Sequence, residues 1–163
     1  MGPKDPIRVL FGGTDFVFKK YLEDLSDADL LLRPVPEANH IAWQIGHLIA
    51  AEQHLLTMLP GCKPIDLPAG FAEQHSKETS HQESTKGFAK KAEYVALYEK
   101  SRANALKNLN AFPEADLDKP LEGPMSAVAP TLGGLFVLIG NHPMMHAGQF
   151  VVVRRKLGKP VVI

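Results

Sequence analysis

Four stretches of this chain place apolar residues at helical spacing. In the first, from about Ile7 to Leu25, Ile7, Leu10, Phe11, Thr14, Phe18, Tyr21, Leu22 and Leu25 share one face at about 100° per residue. Gly12 and Gly13 lie inside it, each costing about 1 kcal/mol relative to alanine. Either a neighbour packs close at that point or the helix simply tolerates them. The second stretch, about Asn39 to Leu59, opens on Asn39 as N-cap and stops at Pro60-Gly61. Its apolar stripe is Ile41, Ile45, Leu48, Leu55, Leu56 and Leu59. The third, about Ser84 to Phe112, aligns Tyr94, Leu97, Tyr98, Ser101, Ala105, Leu109 and Phe112 and leaves several lysines on the other side. Ser80 with Glu83 reads as a capping box ahead of it, although Gly87 interrupts the next turn. The fourth opens at Thr131 behind Pro130 and runs to about Leu157, with Gly158 and Pro160 as stop signals. Val151 to Val153 locally favour strand. The stripe Leu135, Leu138, Ile139, His142, His146, Gln149, Val153 and Leu157 nevertheless continues through them and predicts helix throughout.

Residues 60–80 are rich in proline, glycine and polar side chains, and residues 112–130 contain four prolines. Both read as connections, long for a compact domain, which points to function or mobility in the first. The pattern therefore predicts an all-α four-helix bundle, one domain over residues 1–163, with long connections after the second and third helices.

Charge and composition remove several functions. Basic and acidic side chains balance at 18 each, and no basic stretch forms a nucleic-acid footprint. No apolar run reaches the roughly 18 residues of a membrane span, and the first residues lack the apolar core of a signal peptide. The lone Cys62 has no internal disulfide partner, which fits a reducing, cytoplasmic setting.

Histidines change the picture more. His142 and His146 sit one turn apart on the fourth stripe, with Cβ atoms expected about 5–6 Å apart, so both imidazoles can reach one ion. Pro143 stands between them. It removes one backbone N–H and frees the carbonyl of Ile139, which predicts a kinked but continuous helix at the histidine pair. The second helix offers His40, His47 and His54, spaced seven apart and therefore about 10 Å apart along the axis. At most one of them can join the pair. His40 reads as a surface or cap residue, and His54 lies towards the far end. His47 is central, with Gly46 and Ala50 leaving room for a ligand and a substrate. The His and Trp43 stripe is well over 90° from that helix's apolar stripe, so the helix is buried over a wide arc or its second face lines a cavity. Trp43 is then either a core aromatic or a wall of the substrate pocket. Three histidines from two helices leave open coordination positions, as catalytic sites do. No Glu-x-x-His occurs on either helix, against a di-iron site.

These residues resemble the DinB-like (DinB/YfiT-like) metal-binding four-helix bundles. The resemblance rests on "HIAWQIGHLIAAEQHLL" and on "HPMMHAGQFVVVRRKLGKP", and it extends over nearly the whole chain. It implies an up-down-down-up bundle with a metal on His47, His142 and His146. It further implies zinc, nickel or iron as the ion, homodimers, and, in several branches, transferases that use a low-molecular-weight thiol such as bacillithiol or mycothiol. Other branches resemble hydrolases or isomerases. The apolar Pro143-Met144-Met145 replaces a charge that many members carry between the two histidines.

The functional expectation is a divalent-metal-dependent enzyme acting on a small molecule, a thiol-dependent S-transferase or a hydrolase. The alternative is a non-catalytic metal-binding or interaction bundle. Gln149 either orients a ligand or pairs with helix backbone, and Trp43 and Gln149 are the candidate substrate-binding residues. Glu52 projects about 140° from His47 and is not assigned as general base. Cys62 reads as an ordinary loop thiol, and Arg154 and Arg155 as cations at a helix end.

Overall fold

The computed structural model describes residues 1–163 and is built from helices without a strand. In chain order these are α1 (Asp5–Leu22), the single turn α2 (Asp27–Leu30), α3 (Ile41–Leu56), the single turn α4 (Phe71–Gln74), α5 (Lys91–Ala111) and α6 (Leu132–Lys156). The four long helices match the four periodic stretches, with differences at their ends that have local causes. His40, rather than Asn39, caps α3: its Nδ1 accepts from the Trp43 backbone N–H at 3.0 Å. His40 is also fully buried, so it is a cap without being a surface residue. α5 begins at Lys91, later than expected, because Gly87 takes a left-handed φ of 84° that ends any helix arriving from Ser84. The capping box at Ser80 does not form, and the start is set by Glu93, whose carboxylate accepts from the Lys90 backbone N–H. Thr131 caps α6 through the Gly134 N–H, and α6 continues unbroken through Pro143 and the valine run.

Side-chain pairings give the directions. α1 and α6 run parallel, with Phe11 beside Gly140 and Phe18 beside Phe150. α5 runs against α1, pairing Asp15 with Arg102 and Arg8 with Asn110. α3 runs with α5, since Gln53 bonds Ser101 and Lys63, just beyond α3, bonds Asn108. This is an up-down-down-up bundle. The α1–α6 approach depends on Gly140, where a Cβ would stand 2.8 Å from the Phe11 ring. Gly12 and Gly13, by contrast, have no neighbour within 4 Å and are tolerated rather than used.

Two apolar cores fill the bundle. One gathers Phe18, Ile41, Ile45, Tyr98 and Phe150, the other Phe11, Leu56, Leu109, Phe136 and Ile139. A polar layer lies between them in all four helices, containing Asp15, Glu52, Gln53, Ser101 and Arg102 and the backbone of α6 around Gly140. At the far end Arg154 is buried, donating to Asp24 and to the Tyr21 carbonyl. The Arg154 hydrogen bond holds the Asp24 carboxyl well down, at about 2. Arg154 is therefore a pin between α6 and the end of α1 more than a cation at a helix terminus. No helix is long and apolar enough to cross a membrane.

Candidate metal centre

α3 is buried nearly all round for its first turns, from Ile41 to Gly46 and again at Leu48 and Ile49. Its apolar stripe faces the bundle. Its second face is covered by the connection between α3 and α5, which folds back so that His75 and Thr79 lie over Trp43, Gly46 and His47. The wide arc expected of this helix is thus explained by a lid of loop, and the same lid helps build the site.

His47, His142 and His146 come together where α3 meets α6. One ligand nitrogen from each lies within 4.8 Å of the others, compact enough for one ion with bonds of about 2.0–2.1 Å after a shift of under about 1 Å per ring. His146 is buried and the other two are half-buried, so the cluster has an inner and an outer side. No carboxylate belongs to it.

Electrostatics suit the three rings to metal ligation. Burial, reinforced by the neighbouring imidazoles, pushes His146 down to about 3 and His142 to about 4. Burial also lowers His47, partly offset by its hydrogen bond to the His75 carbonyl. All three are neutral near pH 7, the form that binds cations. Two tautomers are fixed by their partners. A carbonyl can only accept, so His47 Nδ1 donates to His75 O at 3.3 Å, leaving Nε2 bare. Gln44 donates its amide N–H to the Asn39 carbonyl, which turns its Oε1 towards His146 Nδ1 at 2.9 Å; that ring too presents a bare Nε2. Outer partners of this kind orient ligand imidazoles and raise their basicity. The donor set fits a divalent ion. Replacing Gln44 with leucine should release the His146 tautomer and weaken ion binding by about 10-fold or more, measured by competition with a chromogenic chelator; unchanged affinity would deny Gln44 that role.

Several expected residues sit differently from the sequence reading. Trp43 is buried and stacks on His47, with ring centroids 4.9 Å apart and planes 6° apart. It forms one wall of the histidine cluster. Gln149 is exposed and does not share the inward stripe. That stripe runs through Ile139, Pro143, His146, Phe150 and Val153 in steps of four and three, and Gln149 falls one residue off it. Gly46 does not leave space for a substrate. Its missing side chain is replaced by the His75 imidazole, which a Cβ would approach to 2.0 Å. Cys62 is half-buried, and burial pushes its thiol up, away from nucleophilic reactivity. Glu52 is engaged with Arg102 and Ser101 in the polar layer.

Gln44 and His75 were not anticipated. Gln44 carried a weak signal, a lone amide one turn before His47 in an otherwise apolar segment. His75 carried none, since only the folding of the connection brings it to α3.

An up-down-down-up helical bundle with three imidazoles converging from two helices defines a class of protein, the helical bundle with a histidine cluster compatible with a metal ion. A sequence model of the DinB superfamily matches residues 17–150, a span that includes all three histidines, and the chain belongs to that superfamily. Among solved structures it is similar to a conserved protein from Enterococcus faecalis, with a TM-score of 0.77 and 18% identity, over 98% of this chain and 99% of that one. At that identity the likeness is one of fold. No curated protein matches the chain.

Proposed function

We propose that this protein is a divalent-metal-dependent enzyme that acts on a small molecule, as an S-transferase that uses a low-molecular-weight thiol or as a hydrolase. The observation that carries the reading is the set of three neutral imidazoles, two with fixed tautomers, whose outer members His47 and His142 remain half-exposed. Three protein ligands leave positions free for a non-protein ligand, the arrangement of catalytic rather than structural sites. His47, His142 and His146 would hold zinc, nickel or iron. The ion would supply an acidified water or thiol close to neutral pH. The chain's own residues do the rest: Gln44 and the His75 carbonyl hold the rings in their binding tautomers, and Trp43 fixes the plane of His47. Glu52 is committed to Arg102, so the cluster itself offers no carboxylate base.

Protein purified without an affinity tag should carry close to one equivalent of metal, and His146→Ala should lose it while keeping its helical spectrum. Folded wild-type protein that takes up no zinc, nickel or iron would sink the metal reading. A screen of thiols paired with electrophiles, and of hydrolysable esters and amides, then tests the enzyme. Metal-loaded protein that binds no thiol and turns over none of these substrates would leave a metal-binding bundle in place of an enzyme.

A further inference from the structure

Pro143 has no N–H, so the carbonyl of Ile139 cannot receive its helical hydrogen bond. In the structure that carbonyl is not left unpaired. Arg102, from α5, donates Nη1 to it at 3.0 Å and Nη2 to the Gly140 carbonyl at 3.4 Å. The same guanidinium donates Nη1 to Glu52 of α3 at 2.6 Å and Nε to Asp15 of α1 at 2.8 Å. It lies 4.0 Å from the centroid of the Phe11 ring and is 3% exposed. Gly140 lets α1, with Phe11, lie this close to α6, because a Cβ there would collide with the Phe11 ring. One planar fork thus ties α3 to the turn of α6 that leads into His142 and His146. Glu52 and His142 border the same small gap in the bundle, together with Ser101 and Pro143.

We propose that Arg102 is a positioning residue for the metal centre. It supplies the hydrogen bond that Pro143 cannot make, and through Glu52 it sets the His142–His146 turn against the helix that carries His47. A lysine would not replace it, since an ammonium lacks the rigid fork that reaches two carboxylates and two carbonyls at once. This inference rests on the metal reading above. A buried ion pair could instead serve stability alone, and such pairs can often be exchanged for apolar residues without loss. The two roles differ in what Pro143 does. Either role can make stability depend on the missing N–H at residue 143, but only in the positioning role do ion affinity and the Co2+ spectrum of folded protein depend on it.

The test measures Co2+ and Zn2+ affinity by chelator competition and the visible spectrum of the Co2+ form, with circular dichroism as the check on folding. Glu52→Leu combined with Arg102→Met removes both buried charges together, so neither is left unpaired; Asp15 is partly exposed and can be hydrated. This variant should bind either ion about 10–100-fold more weakly and show shifted Co2+ bands. Adding Pro143→Ala returns an N–H to face Ile139 and should recover most of the loss. If the paired variant does not fold, Arg102→Lys takes its place, with a smaller loss expected and the same recovery on Pro143→Ala. Wild-type affinity and spectrum in a folded Arg102 variant would overturn the proposal, as would weakened binding that Pro143→Ala fails to restore. The metal reading is tested separately: it fails if wild-type protein binds no ion, whereas the positioning role fails only in the variants.

Discussion

Gly46→Ala should destabilise the protein by about 3 kcal/mol, the upper part of the range for overpacking a core. A β-carbon at residue 46 would lie 2.0 Å from His75 Cδ2 and 2.3 Å from Nε2. The ring cannot swing away without losing two buried hydrogen bonds. Its Nδ1 donates to the Phe71 carbonyl and its Nε2 accepts from the Tyr94 hydroxyl, each at 2.7 Å. Alanine gains about 1 kcal/mol over glycine in helix propensity, which is too small to offset the collision. Displacing His75 would also move the carbonyl that holds His47 Nδ1, so ion affinity should fall with stability. Urea unfolding at pH 7 reads the first effect and chelator competition the second. Gly12→Ala is the contrast. Nothing lies within 4 Å of that position, and the same change there should stabilise α1 by about 0.5–1 kcal/mol. A Gly46→Ala protein as stable as wild type would show that the connection does not press on α3 as described.

Acid should destabilise the metal-free protein from about pH 6.5 downwards, with His40 as one identifiable cause. Burial first, then the charges of Arg33 and His75, push His40 down to about 4. Its folded value thus lies below that of the unfolded chain, near 6.5. Protons bind the unfolded state more readily, so this stabilisation is complete above pH 6.5 and is lost as pH falls towards 4, where the loss levels off. The contribution is on the order of 3 kcal/mol. The structural reason is specific. His40 Nδ1 accepts the Trp43 N–H as the N-cap of α3, and a protonated imidazole has no acceptor left. His75, also lowered by burial, acts in the same direction, and His142 and His146 add to the effect while no ion is bound. Asparagine caps helices well and does not titrate in this range. His40→Asn should therefore keep the cap, lose some packing against Phe88 at pH 7, and flatten part of the fall in stability between pH 6.5 and 4 in urea titrations. An acid profile identical to wild type would remove His40 from the account.

Much of the bundle was legible in the amino-acid order because helical periodicity is a local property. Apolar residues three and four apart predict where a helix runs and which side it buries, and the four long helices lie where that pattern put them. Cap and breaker chemistry also worked where it acts over one turn, as at Thr131 and Gly158. It failed at the start of α5, where Gly87 and the contact of Asp27 with the Lys91 N–H outweighed a plausible capping box. Gln149 shows the limit of a drawn stripe. A departure of one residue from the four-three rhythm moves a side chain by about 100°, enough to carry it from the interior to solvent.

The chain order by itself determined four helices, a histidine pair one turn apart with a proline inside it, and a third histidine at mid-helix on another element. Those are consequences of spacing along a regular helix. Tertiary structure decided what surrounds them. It brought His75 from a connection to fill the space above Gly46, turned Gln44 towards His146, and set Arg102 against the carbonyl that Pro143 leaves free. Each is a hydrogen bond or contact between residues 29 to 102 positions apart in the chain. No local periodicity encodes such pairings, because they form only when the burial of four apolar faces has fixed how the helices lie against one another.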